Sequence, residues 1–496
     1  MKKSILLFLI SIFTIYNSLF SYENKYIPSN VNTVTSLNLS TLSDKADINL
    51  QETLNNLFFN NFADSYLEYR NDPDVVTAMT ERFEELFDTT KDAKIITYNN
   101  YNIFSIILNI KNSLEINKIL IKIATQEDKL ISVSKDLKYM YILLDEKTLL
   151  AWNDEVFTVS VSYDSSNNIL FASDSIFSKD NRLEDKNFID LLSSNNDAYN
   201  WVDLSAFSTN SYFRDILASD EFYPYNQLFV DKEAIYDGIV TAKYNFTNGN
   251  ANIKLDFYNT NFNLMSIKKE LSSKVYEYVN GQNNYGFLSF SFNIEELTKE
   301  LKSKLGEEDN SLNDLLTEFP ELKDIGIKNI YSFLELLDGD IFFSVWDIGE
   351  DNDPAMFISA SVRNANTINM ILSVFSEDTI DDDIYLVGGN YLYIKDSILY
   401  IVSYENIARE IKEGKLPENK LDANTLNNTK DNLFSFYMDL NPLLSLYGYD
   451  DYTEVFKDLG VYAKIIDSNH TQINIDINTR NKEENALKII KLFMEY

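Results

Sequence analysis

The sequence predicts an α+β protein of two tandem pseudo-repeat lobes, each an antiparallel β-sheet covered on one face by helices. Three observations carry that expectation. A strand-to-helix unit recurs at Ser36–Leu42, Trp201–Phe207, Leu288–Leu301 and Tyr437–Leu443. Turn signals separate runs of alternating apolar residues, the mark of antiparallel hairpins. Five features also recur in the same order along the two halves. They are a unit, a strand closed by a basic residue and Asn before a helix, a hairpin, a second unit, and a hairpin followed by a helix.

The chain opens on a secretory signal over residues 1–21. Lys2 and Lys3 form the charged start, Ile5–Ile15 the apolar core, and Ser18–Ser21 a small-residue cut after Ser21. The alternative is an anchor that is kept; cleavage is favoured because the apolar run is short for a span and Asn17 interrupts it. The lobes are then 22–282 and 283–496.

In the first lobe, Val34–Leu39 and the following residues form the first unit. Helical spacing marks Leu54–Phe62 and Ala78–Phe87. Lys94–Tyr98 and Ile103–Ile110 read as strands, the second closed by Lys111-Asn112 ahead of a helix at Leu114–Ile123. Leu149–Trp152 and Val156–Val161 flank Asn153-Asp154, a hairpin turn. Ile169–Phe177 reads as another strand. Ile239–Phe246 and Ala251–Phe257 form a hairpin around Thr247-Asn248-Gly249-Asn250. Met265–Val279 reads as an amphipathic helix rich in Lys and Glu, and the polar stretch Asn280–Asn284 as the boundary.

The second lobe restates the first. Alternation puts Leu288, Phe290 and Phe292 on one sheet face, and Ile294, Leu297 and Leu301 then follow helical spacing. Asn293 stands at the switch, as do Asn38, Asp203 and Asp439; a short polar side chain there accepts a hydrogen bond from a free N–H of the next turn. In the last copy Pro442 follows Asn441, so the cap is either Asp439 or Asn441. Ala355–Val362 closes with Arg363-Asn364 before the helix Ile368–Phe375. Tyr391–Ile394 and Ile398–Val402 form a hairpin at Lys395-Asp396, Ala463–Ile466 and Ile473–Ile477 form the last, and Ala486–Met494 is the closing helix.

Composition bounds the function. With 45% hydrophobic residues the 496-residue chain builds packed cores, and 32 Tyr and 33 Phe favour strands. The net charge of −34 repels phosphate backbones and anionic head groups, so nucleic acid is not an expected partner. Absence of Cys removes disulfides, thiolate chemistry and a lipid anchor through an N-terminal Cys. His470 is the single histidine, so any histidine relay runs through it; in a turn beside Asp467 and Asn469 it is expected as a solvated surface residue.

The chemistry-bearing clusters are acidic. Asp347, Asp351 and Asp353, with Glu350, lie in a loop before Ala355, and Asp378 with Asp381–Asp383 forms a second run. Hard cations take oxygen ligands from such loops, which makes Asp347, Asp351 and Asp353 the calcium candidates. Their spacing is not that of an EF-hand, and the solvated reading outweighs the metal one. No cofactor and no catalytic residue is expected. A carboxylate hydrolase would need two converging acids, and 77 acidic residues make any single pair uninformative. Tyr139, Tyr141, Tyr391, Tyr393 and Tyr400 either line a binding face or fill the core, the second being favoured.

The repeated units, the strand closed by Lys-Asn or Arg-Asn, and the hairpin YLYIKDSILYIVS followed by Asn406–Gly414 resemble a group of exported bacterial repeat proteins catalogued as domains of unknown function. The resemblance covers most of the mature chain. It implies an α+β fold and export, and it brings no catalytic residue with it. Members of the group often carry a lipobox Cys, which this chain does not have.

The function expected from these readings is an exported, non-catalytic structural or binding protein of the cell envelope, periplasmic or at the surface. Its partner would be a protein or envelope component, and no transmembrane span is expected in the mature chain. The runner-up is a carrier of apolar ligands such as lipids, and the third reading is a carboxylate-dependent hydrolase.

Overall fold

The computed structural model describes residues 24–49, 82–98, 103–162, 169–178, 182–194, 196–205, 238–258, 265–305, 317, 320–347, 354–381, 383–421, 426, 429–446 and 454–495. Within them the strands are β1 (Val31–Leu37), β2 (Ala93–Tyr98), β3 (Ile103–Asn109), β4 (Ile131–Val133), β5 (Met140–Leu143), β6 (Thr148–Trp152), β7 (Val156–Ser162), β8 (Ala198–Asp203), β9 (Ile239–Thr247), β10 (Asn250–Tyr258), β11 (Asn284–Ser291), β12 (Leu337–Trp346), β13 (Ala355–Val362), β14 (Asp378–Ile380), β15 (Ile384–Val387), β16 (Asn390–Lys395), β17 (Ile398–Val402), β18 (Phe434–Asp439), β19 (Phe456–Asp467) and β20 (His470–Thr479). The longer helices are α1 (Leu39–Ala46), α2 (Ser113–Gln126), α3 (Leu170–Phe177), α4 (Lys186–Leu192), α5 (Ile294–Leu305), α6 (Ala365–Phe375), α7 (Glu405–Glu413), α8 (Leu440–Leu446) and α9 (Ala486–Glu495).

The caps explain where strands stop. At each recurring unit the Asn or Asp oxygen accepts a backbone N–H of the next turn. Asn38 accepts from Thr41 at 2.7 Å, Asp203 from Ser205 at 2.9 Å, Asn293 from Glu295 at 3.1 Å and Asp439 from Asn441 at 2.9 Å. The last bond selects Asp439 over Asn441 as the acceptor. Asn112 and Asn364 cap α2 and α6 with nearly the same backbone, φ −133°, ψ 86° and φ −129°, ψ 83°.

The chain forms two compact units. Among the described residues the first holds those up to Ser205, 238–255 and 481–495, and the second holds 256–480. The segments 256–282 and 481–496 are thus grouped differently from the expected lobes. In the first unit every strand pairing is antiparallel, in the order β4-β5-β6-β7-β3-β2-β1-β8-β9, with β10 next to β9. In the second the order is β14-β15-β16-β17-β13-β12-β11-β18-β19-β20, again antiparallel throughout. Adding ten to each strand number of the first order gives the second. The helix α9 packs on α1 and β9 in the first unit; the segment Met265–Tyr276 packs on α5, β12, β13 and β19 in the second.

Helices were expected on one face of each sheet, and the structure corrects this. In the first unit α3 and α4 cover Val34, Ile96, Tyr98 and Tyr199, while α2 covers Leu150, Trp152 and Phe157 on the other face. In the second, α7 and Leu271–Val279 bury Phe287, Phe342, Phe357 and Tyr400, and α6 packs with Leu392, Leu399 and Ile401. The reason is in β6 and β17. Both are apolar at successive positions, and β6 is buried at every residue, the pattern of a strand covered on both sides.

Two further expectations are corrected. Ile169–Phe177, read as a strand, is the helix α3. Met265–Val279, read as one helix, holds two short 3₁₀ turns, Met265–Ile267 and Ser273–Tyr276. There Lys269 is drawn to Asp340, a carboxylate 1% exposed, at 2.9 Å, and Ser272 caps the second turn. The signal at residues 1–21 and the helix at Leu54–Phe62 lie outside the described residues; of Ala78–Phe87, the helical turn Phe83–Leu86 is described. Among the described residues no helix is long and apolar enough to cross a membrane.

One glycine tests this packing. Gly339 sits at φ +93° where the register of β12 shifts, and a Cβ there would overlap the carbonyl oxygen of Phe292. Gly339→Ala is expected to cost at least ~2 kcal/mol, against about 1 kcal/mol for loss of a cap in Asn293→Ala. Urea denaturation midpoints of the two variants check the ranking; a smaller loss for Gly339→Ala would refute it.

Candidate functional site: a half-buried apolar sheet face

Of the acidic candidates in the first cluster, Asp347 alone lies among the described residues. Asp347 directly follows β12 and is half-buried, its N–H donating to the Asn283 carbonyl at 3.1 Å. Glu350, Asp351 and Asp353 lie outside the described residues. Among the described residues no three acidic or histidine side chains are grouped to hold a metal ion. In the second acidic run, Asp381 pairs with Arg409 and Asp383 with Lys412. These charges tie the β14–β15 end of the sheet to α7.

His470 is not the solvated turn residue expected. It is the first residue of β20, with its side chain 18% exposed. Its Nε2 lies 2.9 Å from Oδ1 of Asp256, and its ring stacks on Tyr258 with centroids 4.4 Å apart. The Asp256 carboxylate, 2% exposed, also accepts from Gln472 Nε2 at 2.7 Å. Buried acceptors need such donors, so the pair anchors the end of β10 within the second unit. The tyrosines go to the cores. Tyr139 and Tyr400 are buried, and Tyr141, Tyr391 and Tyr393 pack against the same clusters. Tyr139 donates to Asp174 at 2.7 Å and stacks on Phe177 at 4.6 Å.

What the strand pairing does bring together is apolar. Leu288 and Phe290 of β11 are directly opposite Phe343 and Ile341 of β12, and Phe436 and Phe434 of β18. The same face continues through Val345 to Met356, and through Phe343 to Ile358, on β13. On the other side it continues through Met438, Leu459 and Ile477, through Val461 and Ile475, and through Ala463 and Ile473. Every one of these side chains is half-buried. On β11, β12 and β13 the neighbours one residue along point to the opposite face and are closed off: Phe287, Ser289, Phe342, Ser344, Phe357 and Ser359 are buried, as is Ser435 of β18, whereas Tyr437, Tyr462, Asn474 and Asp476 are half-buried. The serines there keep that face thin, and Ser359 Oγ donates to the carbonyl of Val275. Alternation at Leu288 and Phe290 was visible in the sequence. The half-open state of the face was not, because it depends on what lies over it.

The first unit buries an acid instead. Asp92 and Lys94 are 3% and 4% exposed. Among the described residues, Asp92 Oδ2 has no hydrogen-bond partner. Burial pushes this carboxyl up from 3.8 to about 8, against the pull of Lys94. At 3% exposure it is sealed from any dissolved substrate, so its effect is on stability.

The sign follows from proton uptake. Folded, the carboxyl keeps its proton up to about pH 8; unfolded, it loses it near 3.8. The folded chain binds more protons across that window, so the contribution is fully present below it and is lost as the pH rises through it. Asp92→Asn is expected to flatten the fall of the urea midpoint between those pH values; an equal slope in variant and parent would overturn this. His470→Ala is expected to cost about 1–3 kcal/mol by leaving the Asp256 carboxylate short of a donor. An unaltered denaturation midpoint would show that the pair adds nothing.

No family model matches the chain. Solved structures of TP0453 in crystal forms III and I are similar at a TM-score of 0.29 each, with 7% and 8% identity, over 48% and 49% of this chain and 80% of theirs. A Brachyspira hyodysenteriae protein described as "Uncharacterized protein in tlyA 5'region" is 45% identical over 145 residues, which are 29% of this chain and 95% of that protein. The chain belongs to the family of this Brachyspira protein.

Proposed function

We propose that the protein is an exported, non-catalytic binding protein of the cell envelope, and that its ligand is apolar and lies along the half-buried face of the second unit. The observation that carries this reading is the face itself: apolar side chains on six adjacent strands, all part-open, with the opposite face buried behind β11, β12 and β13. Interiors pack to crystal-like density and leave no such margin. Covering the face with an apolar ligand removes more of it from water, and ligand sites are lined in this way. Export rests on the signal-like residues 1–21. The two units are read as copies of one ancestral lobe, because their strand orders coincide and their Asn caps share one backbone geometry. In this reading the scaffold was doubled, and the open apolar face is a property of the second copy.

The test is titration of the chain with N-phenyl-1-naphthylamine, followed by fluorescence. Saturable enhancement, reversed by a long-chain fatty acid, is expected. The double variant Phe290→Asn with Phe436→Asn should weaken binding by about tenfold or more, on the scale of losing two apolar contacts. Ile131→Asn, in the first unit, should leave binding unchanged. Absence of saturable binding, or equal binding by the double variant, would refute the proposal.

A further inference from the structure

One seat occurs in both units, and each time it is filled from the other half of the sequence. The second unit builds it from α5 and β19, and Met265–Ile267 packs there, a segment that follows β9 and β10. The first unit builds it from α1 and β9, and α9 packs there, a segment that follows β19 and β20. Each segment follows the last hairpin of its own half and closes the unit built from the other.

The match extends to single atoms. Ala198 is opposite Tyr244 and Phe434 is opposite Ala463, at the same distance ahead of the capping residues Asp203 and Asp439. Phe246 and Ile465 therefore hold equivalent places on β9 and β19, and both are buried. The Phe246 carbonyl accepts from Asn485 Nδ2 at 3.1 Å, and the Ile465 carbonyl accepts from Lys268 Nζ at 3.2 Å. Two equivalent carbonyls are met by two arriving segments, although one is an α-helix and the other a 3₁₀ turn.

The seat in the first unit is closely fitted. Ala486, Ile489 and Ile490 of α9 are buried, and Lys488 pairs at 3.0 Å with Asp47, which closes α1. Asn248 Nδ2 and the Gly249 N–H donate to the carbonyls of Glu483 and Glu484, each at 3.0 Å. The stretch that leads in, Arg480 to Glu483, is polar and exposed.

We propose that the seat on α1 and β9 is an exchange interface whose partner is a second molecule of this chain, with α9 of each molecule docked on α1 and β9 of the other. The inference rests on the reading of the two units as copies of one lobe. In a lobe not yet doubled, the same closing contact joins two molecules; doubling places both on one chain and leaves the contact as it was. Exchange between two chains keeps every bond of the seat and changes only the course of the polar hinge. Within one chain the helix competes at an effective concentration in the mM range, so exchange grows with chain concentration.

The test uses the full chain, which has no Cys of its own. One preparation carries Asp47→Cys, and the other, labelled with heavy nitrogen, carries Lys488→Cys. They are mixed in urea, returned to buffer at about 100 µM and treated with a short bismaleimide. With one cysteine per chain, a link between positions 47 and 488 forms only between molecules. About a tenth of the chains are expected to carry it, from that concentration set against an effective one of about 1 mM. The fraction should rise with concentration. Deleting Lys482 and Glu483 from both chains shortens the hinge and should raise it about threefold or more. Ile490→Asp in the labelled chain should abolish it. The two variants are also co-expressed, which needs no refolding, and the same link is expected there. Absence of the link from both mixtures, a fraction that ignores concentration, or equal linking by Ile490→Asp overturns the proposal. A chain carrying both cysteines should link within one molecule. Failure of that internal link would undo the seat itself and with it the match between the units, whereas absence of the link between molecules overturns exchange alone.

Discussion

The structure depends on where each strand is made to stop. Side chains alternate across a strand with a period of two, so a slip of one residue exchanges the two faces. The Asn and Asp caps remove that freedom. Once Asn293 takes the N–H groups of Glu295 and Glu296, β11 must end before it. Leu288 and Phe290 are then committed to one face and Phe287 and Ser289 to the other. Equivalent caps at Asn38, Asp203 and Asp439 commit β1, β8 and β18. The central strands of both sheets inherit their parity from these bonds. At β11 a half-open apolar face backed by a closed one follows from a polar oxygen placed at the strand end.

Much of this was legible in the sequence, for a physical reason. Caps and hairpin turns are local, and local chemistry is written in adjacent residues. The hairpins at Asn153-Asp154 and around Asn248-Gly249 fall where turn residues were read. What failed was non-local. The apolar run Ile169–Phe177 has no clear period, and a short run of that kind suits a buried strand or a helix equally. Its helical state is supported by partners elsewhere, such as Tyr139 bonding Asp174. Met265–Val279 has helix-forming residues, but Lys269 neutralises the buried Asp340, and a charge left alone there costs more than helix propensity returns.

The candidate site was legible in part. Alternation announced Leu288 and Phe290 as one face, but exposure depends on elements distant in sequence. His470 shows the same limit. Its partner Asp256 lies 214 residues away, and nothing beside either residue signals the other. Of the calcium candidates, Asp351 and Asp353 lie outside the described residues. In the second acidic run, Asp381 and Asp383 meet Arg409 and Lys412 at the surface, in pairs of modest worth.

The closing helix has a consequence for biosynthesis. α9 is made after the strands of the second unit, yet it packs on α1 and β9, which are among the elements of the first unit. That unit stays unfinished while the ribosome makes the second unit, and its seat for α9 is filled only afterwards. A stop codon ahead of α9 would therefore injure the part translated first.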